Sequence, residues 1–283
     1  MPIIDFRARP PTPEYLRALD LPLTQTVMRK LGSTRPRPQT LEEWMTDLER
    51  RDVRRVVFAG RQSAATSAND VTNDYVADVM RRFPDRVVGI AGVDPMLGMA
   101  AVREATRAVA ELGLRGVALD PYGGNTAAND RRLYPVYAKC AELNVPVIVT
   151  TGPLPFAGPR LAHGDVKPLD DVACDFPELT IVIDHTGWPW VQETIALAFR
   201  HENVFIDTSF YIHLPGTALL AEAANTIIPD RVLFASGFPA VSIETALERV
   251  AALPFTPEAL EGVLFRNAER LLKKFGVGEA TTL

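Results

Sequence analysis

Side chains that can bind anions or transfer protons follow several short apolar runs of the sequence. Arg7 and Arg9 come directly after the run Ile3–Phe6, and Ala8 separates them. In an extended segment this alternation points both guanidinium groups to one side, where they could hold a carboxylate through paired hydrogen bonds. His185 follows a later apolar run, and an imidazole suits proton transfer near neutral pH. These residues predict an anion-binding site with an acid–base group.

The apolar runs recur along the chain, and amphipathic stretches separate most of them. Several runs are rich in Val and Ile with little alternation, which is typical of parallel strands buried on both faces. The predicted strands are Ile3–Phe6, Val53–Ala59, Val87–Val93, Gly116–Leu119, Val145–Val149, Thr180–Ile183, Val204–Ile206 and Val232–Ala235. The predicted helices are Leu41–Arg50, Asn73–Arg82, Ala100–Leu112, Pro135–Leu143, Val191–Arg200, Ile243–Ala252 and Pro257–Phe275.

This alternation predicts an α/β protein, a (β/α)₈ TIM barrel, for which ~250 residues is typical. An open doubly wound sheet is the alternative, but it usually carries a Gly-rich turn after its first strand. Here no glycine occurs before Gly32. We therefore expect one barrel domain over residues 1–283, with an irregular insertion at Pro10–Pro38. Gly60–Asn73 and Gly152–Asp170 are the main irregular loops, and both follow strands.

Composition excludes several other classes of protein. The net charge is −5 with no basic stripe, so no nucleic-acid partner is expected. No apolar stretch approaches the ~20 residues of a membrane helix, and the N-terminus does not resemble a signal peptide. Cys140 and Cys174 lack zinc-type spacing, and we interpret both as small buried residues in a reducing compartment. A cytoplasmic protein with a small-molecule substrate is the expectation.

In a barrel, the side chains at the carboxyl ends of the strands converge on one site. The residues placed at these ends are Arg7, Arg9, Asp120, Tyr122, Thr150, Thr151, His185, Asp207, Ser209, Ser236 and Gly237. Aromatic residues that could wall an apolar pocket there are Phe6, Trp188, Trp190, Phe210, Tyr211 and Phe238. Asp184, directly before His185, is expected to point away from the barrel interior. Neither Ser209 nor Ser236 lies in a nucleophile elbow, so no serine-hydrolase triad is predicted.

Over nearly its whole length the chain resembles the amidohydrolase-2 group of the amidohydrolase superfamily. This group includes aminocarboxymuconate-semialdehyde and resorcylate-type decarboxylases and some hydrolases. The blocks that carry the resemblance are Phe83–Pro95, Leu133–Ala138, Phe176–Trp190, Asn203–Ser209, Arg231–Pro239 and Asn267–Leu272. The resemblance implies the barrel fold, hydrolase or carboxy-lyase chemistry and, since such barrels often dimerise, a homodimer.

The departures from the family pattern lie at its metal ligands. The family's first strand ends in His-x-His, and Arg7 and Arg9 stand at those positions. Thr150 replaces a His after strand 5, and Gly237 replaces the metal-binding Asp after strand 8. The family's acid–base His after strand 6 is kept as His185. A guanidinium has no lone pair to give and repels a cation, so we predict no metal and no other cofactor.

The leading hypothesis is a metal-independent enzyme that hydrolyses or decarboxylates a small cyclic or aromatic carboxylate. Arg7 and Arg9 would hold the anion and His185 would transfer the proton. The expected substrate contacts are Asp120, Tyr122, Thr150, Trp188, Asp207 and Ser236.

Three alternatives remain open. Arg7 and Arg9 could instead fill the vacated metal pocket and pair with Asp120 or Asp207. The chain could be an inactive pseudoenzyme that binds ligands. It could also be a metal enzyme, either a conventional one whose ligands are misaligned here or one with a site improvised from Asp120, Asp207 and His185.

Overall fold

Eight parallel strands in chain order form the barrel, as the sequence predicts. The computed structural model describes residues 1–33, 35–62, 70–153 and 158–278. Each strand is hydrogen-bonded to the next along the chain. The strands are β1 (Ile3–Asp5), β2 (Val53–Ala59), β3 (Val87–Gly92), β4 (Val117–Leu119), β5 (Val147–Val149), β6 (Ile181–Ile183), β7 (Val204–Asp207) and β8 (Val232–Leu233). The two predicted loops fall partly on residues 63–69 and 154–157, which lie outside the described residues.

The ends of the sheet meet through backbone hydrogen bonds just beyond β1 and β8. Phe6 N donates to Phe234 O at 2.8 Å, and Gly237 N donates to Arg7 O at 2.9 Å. Arg9 N donates to the carbonyl oxygen of Phe238, also at 2.9 Å. These bonds close the barrel and hold the segment after β1 at its carboxyl mouth.

The helices cover the outside of the barrel and form part of the N-terminal insertion. They are α1 (Pro13–Leu16), α2 (Pro22–Lys30), α3 (Leu41–Arg50), α4 (Asn73–Arg82), α5 (Met99–Ala110), α6 (Tyr134–Glu142), α7 (Pro168–Asp175), α8 (Val191–Arg200), α9 (Ala218–Ala224), α10 (Ile243–Ala251), α11 (Pro257–Glu261) and α12 (Asn267–Lys274). The insertion is thus partly helical rather than irregular. Among the described residues no helix has the length and apolar character needed to span a membrane.

The single helix predicted over Pro257–Phe275 is two helices. A π-helical turn at Gly262–Arg266 separates α11 from α12. In this turn the carbonyl oxygen of Val263 accepts a hydrogen bond from Phe234 N at 2.9 Å. The wider turn therefore ties this helical segment to the end of β8.

The core has an inner and an outer part. Alternate strand residues such as Ile4, Val57 and Val182 form an inner cluster with α12, whereas their neighbours pack against the outer helices. Lys274 at the end of α12 donates to Thr180, the residue before β6, at 3.0 Å. Helix α12 therefore closes the amino end of the barrel, and the carboxyl end is left for a site.

The two cysteines differ in burial. Cys140 in α6 is buried as predicted, but Cys174 in α7 is exposed, so that prediction was wrong. Cys174 lies near the end of a short helix, on the face turned away from the buried residues Leu169, Val172 and Ala173.

A buried carboxylate, Asp5, fastens the end of β1 to the chain after β8. Ser236 donates to it twice, from N at 2.9 Å and from Oγ at 2.5 Å, and Arg7 N donates at 3.1 Å. Burial outweighs these hydrogen bonds and raises the pKa of Asp5 to about 7. Ser236, predicted to contact substrate, is thus held behind the mouth as a structural partner of Asp5.

Asp5 should make the protein less stable as pH rises. A carboxyl whose pKa is raised in the folded state contributes fully to the free energy of unfolding below its ordinary pKa of 3.8. This contribution is lost as the pH rises to about 7. We expect Asp5→Asn to remove a decline on the order of 3 kcal/mol between pH 4 and 8. Denaturant unfolding of both proteins across this range measures the difference.

The matched control is Glu222→Gln on the exposed face of α9, which should keep the wild-type pH dependence. The other buried ionisable groups, Asp184 and His185 among them, are present in all three proteins, so their contributions to the pH dependence cancel in the comparison. An Asp5→Asn protein that loses stability as steeply as wild type over pH 4 to 8 would contradict this role.

Candidate functional site

A cavity of about 110 Å³ lies at the carboxyl mouth of the barrel. Five residues predicted to bind or react with substrate line it, and so do two of the predicted aromatic residues: Arg7, Arg9, Asp120, Thr150, His185, Phe210 and Tyr211. The volume is comparable to that of engineered cavities of about 150 Å³ that bind benzene, so the cavity matches a molecule of about one ring.

Four predicted substrate contacts are absent from the lining of this cavity. Tyr122, Asp207 and Ser236 are buried. Trp188 is partly buried and donates from Nε1 to the carbonyl oxygen of Pro215 at 3.1 Å. The geometry therefore gives no support to direct substrate contact by these four residues.

Arg7 forms a buried ion pair with Asp184, which the sequence had placed outside the barrel. A guanidinium nitrogen of Arg7 contacts Asp184 Oδ2, and Thr150 Oγ1 donates to the same oxygen at 3.3 Å. The expectation for Asp184 was wrong because Val182 points into the barrel, so Asp184 continues on the inner side. His185 reaches the mouth instead through a backbone turn, with a φ of +62°. The partner of Arg7 is thus Asp184, and neither Asp120 nor Asp207.

The imidazole of His185 is oriented by Ser209 and Asp207. Ser209 Oγ lies 2.5 Å from Asp207 Oδ1, to which it donates, and 2.7 Å from His185 Nδ1. Since the hydroxyl proton points to the carboxylate, Oγ accepts from Nδ1–H. This assigns the proton of the neutral ring to Nδ1 and leaves Nε2 as a proton acceptor. The ring edges of Phe210 and Tyr211 pack on the imidazole at centroid distances of 4.7 and 5.7 Å.

The electrostatic surroundings keep His185 uncharged. Burial lowers the pKa of His185 well below its ordinary value of 6.5, and the positive charge of Arg7 lowers it further. Asp207 opposes this effect without reversing it. At neutral pH the ring is therefore uncharged, and Nε2 can accept a proton only as a weak base.

Asp184 and Asp207 form a buried carboxylate pair beside His185. Asp184 Oδ1 and Asp207 Oδ2 are buried and have no hydrogen-bond partner while both groups are ionised. Burial raises the pKa of Asp184 well above its ordinary value, and the neighbouring Asp207 raises it further, against the charge of Arg7. Two adjacent buried carboxylates favour sharing one proton. The pair then carries one negative charge, which balances Arg7.

Arg9 differs from Arg7 in having no carboxylate partner. Its Nε donates to Ala59 O at 3.1 Å, and Nη1 lies 3.5 Å from the hydroxyl of Tyr15. Among the residues that the structure describes, no carboxylate lies within ion-pair distance of this guanidinium. Burial lowers the pKa of Arg9, and the charges of Arg7 and Arg61 act in the same direction. A desolvated cation of this kind is stabilised when an anion binds.

Arg61 lines the cavity and was not predicted from the sequence. Its Nη2 donates to Asp120 Oδ2 at 3.0 Å, and Asp120 Oδ1 accepts from Gly123 N at 2.7 Å. Two backbone hydrogen bonds with Val71, at 2.8 and 2.9 Å, fix Arg61 at the base of its loop. A Cβ on Gly92 would lie 2.3 Å from Arg61 N, so the close approach there needs glycine. Its position two residues after β2 could have indicated a mouth residue.

The Amidohydro_2 family model, described as amidohydrolase, matches residues 45–274. The chain belongs to the amidohydrolase family. An uncharacterized TIM-barrel protein from Bordetella bronchiseptica is 35% identical, with a TM-score of 0.84 over 98% of this chain and 100% of that one.

Two named relatives are enzymes. The 2-keto-4-carboxy-3-hexenedioate hydratase of Sphingobium sp. strain SYK-6 is 28% identical over 82% of this chain and 75% of its own length. The gamma-resorcylate decarboxylase of Polaromonas sp. strain JS666 is 23% identical over 74% of this chain and 78% of its own length. The family resemblance predicted from the sequence is confirmed, and it supports an enzyme.

The residues of this mouth do not fit the divalent metal that the family pattern implies. Two guanidinium groups and Thr150 stand at ligand positions. Asp184, His185 and Asp207 form one buried cluster with ligand atoms within 4.8 Å of one another. However, Arg7 already contacts Asp184, and His185 Nδ1 is bonded to Ser209. Asp184 Oδ1 and Asp207 Oδ2 have no hydrogen-bond partner, but a cation bound to them would lie against the fixed positive charge of Arg7.

His185 should be neutral, with its proton on Nδ1, at pH 6, where an imidazole with the ordinary pKa of 6.5 is mostly charged. The physical reason is its burial beside Arg7 together with the hydrogen bond from Nδ1 to Ser209. Nitrogen-15 NMR of the histidine rings reports both the charge and the tautomer, and His185→Gln assigns the signal. An imidazolium at pH 6, or a ring protonated on Nε2, would show that this environment is misassigned.

Proposed function

We propose that this protein is a metal-independent enzyme that adds water to a small monocyclic or similarly sized carboxylate, as a hydratase or a hydrolase. The observation that carries the proposal is the pairing, in one cavity, of a neutral imidazole with an arginine that lacks a carboxylate partner. The first is a base and the second an anion anchor. The relatives named above, a hydratase and a decarboxylase, support chemistry on small carboxylates.

The substrate carboxylate would bind to Arg9. This guanidinium is held by Ala59 and by the Tyr15 hydroxyl, and its centre lies 5.9 Å from the Tyr15 ring centroid. These contacts fix its orientation while leaving the charge uncompensated. A bound carboxylate would therefore gain a charge-assisted interaction without displacing an existing ion pair.

His185 would activate the water. Nε2 takes a proton from water as the water oxygen bonds to the electrophilic carbon of the substrate. The resulting imidazolium is stabilised by Asp207 through Ser209, in the manner of a hydroxyl-bridged Asp–His pair. It then returns the proton to the neighbouring carbon in a hydration, or to the leaving oxygen or nitrogen in a hydrolysis. Arg7 places positive charge beside the oxygen that becomes negative.

Water addition is favoured over decarboxylation by the protonation state of His185. Loss of CO₂ leaves a carbanion that needs an acid to supply a proton, whereas a neutral ring protonated on Nδ1 presents an acceptor at Nε2. Decarboxylation, which the family resemblance also implies, is therefore the second candidate function.

Turnover of unsaturated and lactone carboxylates in H₂¹⁸O tests the proposal. We expect ¹⁸O in the product and no release of CO₂, with activity retained after treatment with chelator. His185→Gln should lower kcat by about 10²–10⁴-fold, the usual contribution of acid–base catalysis. Release of CO₂ without ¹⁸O incorporation, or full activity in His185→Gln, would contradict the proposal.

Arg9→Gln separates binding from proton transfer in the same assay. It should raise KM far more than it lowers kcat, because the anchor acts on the bound carboxylate in the ground state and the transition state alike. Arg37→Gln, an exposed position outside the cavity lining, is the matched control. If no substrate is turned over but Arg9-dependent binding remains, the pseudoenzyme alternative gains.

A further inference from the structure

Three guanidinium groups line the cavity, but two of them are already paired with carboxylates. Arg7 contacts Asp184, and Arg61 donates to Asp120 at 3.0 Å. Only Arg9, among the described arginines of the lining, has no carboxylate within ion-pair distance. The cavity thus contains three guanidinium groups, of which only two are neutralised by a carboxylate.

The ion pair at Arg61 is firmly held. Asp120 is nearly buried, and its second oxygen accepts a hydrogen bond from Gly123 N at 2.7 Å. Arg61 is fixed through its backbone by Val71 on the other side. If Arg61 turned to a ligand carboxylate, the nearly buried carboxylate of Asp120 would lose its cation, and this cost keeps the ion pair together.

Much of the remaining lining is apolar. The turn before α2, helix α2 and the loop after it contribute Leu19, Val27 and Leu31, and Phe210 and Ala240 add to this surface. A second carboxylate on a ligand anchored at Arg9 would lose water without gaining an unpaired cation, because the guanidinium groups of Arg7 and Arg61 are already paired with carboxylates. Near Arg61 it would also be repelled by the carboxylate of Asp120.

We infer that Asp120 is a specificity-determining residue. It neutralises the charge of Arg61 and so restricts the site to ligands with a single carboxylate. This inference rests on the proposed function, since it takes Arg9 as the anchor. It separates this chain from the Sphingobium relative, whose name specifies a carboxy-substituted hexenedioate. The ligand class is a one-ring monocarboxylate with an apolar body facing α2.

Calorimetric titration with benzoate and isophthalate tests the inference, since the two differ by one carboxylate on the same ring. We expect wild type to bind isophthalate at least tenfold more weakly than benzoate. Asp120→Asn keeps an acceptor for Gly123 N and removes the charge that holds Arg61. It should therefore bind isophthalate at least tenfold more tightly than wild type, and the gain for benzoate, which has no second carboxylate, should be smaller.

The double variant Arg61→Gln/Asp120→Asn should lose this gain, because the released guanidinium is then gone. Equal affinity of wild type for both acids would overturn the inference and leave the proposed function standing. Failure of benzoate to bind, or binding that Arg9→Gln leaves unchanged, would overturn the anchor and with it the inference. The wild-type comparison decides even if the Asp120 variant does not fold.

Discussion

The buried ion pair between Arg7 and Asp184 is the constraint on which the mouth of this barrel depends. A guanidinium taken out of water must be compensated, and breaking such a pair from one side typically costs about 3–5 kcal/mol. Asp184 provides the compensation from the end of β6, and Asp207 provides the proton partner from the end of β7. Burial is the main reason why the carboxylates favour a shared proton and why His185 is neutral; the charge of Arg7 adds to the second effect and balances the one negative charge that remains.

This ion pair determines which of the other residues at the mouth are available to a ligand. Arg7 is occupied, so Arg9 is the cation left for a ligand. Asp207 is turned to Ser209, so it orients His185 rather than contacting the cavity. Proximity at a strand end is therefore not enough to make a residue a ligand contact, because hydrogen bonds to neighbours already use many of the side chains gathered there.

Much of the architecture could be predicted from the sequence. Buried parallel strands appear as apolar runs, and in a barrel the strands lie next to one another in the order of the chain. Helices α1, α2 and α7 were not predicted, although each begins with a proline, a residue that suits the first helical turn. Helix α9, rich in alanine, has little amphipathic period to reveal it. The barrel was still predicted correctly, because the order of the strands defines it and the number of helices does not.

The candidate site was harder to predict, since it depends on side-chain direction. Convergence of Arg7, Arg9 and His185 on one cavity followed from their strand ends. The inward direction of Asp184 required the register of β6, which a one-residue error reverses. Arg61 lies in a loop, and only a three-dimensional structure shows which loop residues turn to the mouth.

We propose that the guanidinium of Arg7 stands where the family pattern calls for a dication. An anomalous difference map from crystals soaked in Mn²⁺ tests it most directly. The claim predicts no peak within coordination distance of Asp184, His185 or Asp207, with Arg7 still in contact with Asp184. A peak ligated by these three residues, with Arg7 displaced into the solvent, would contradict it.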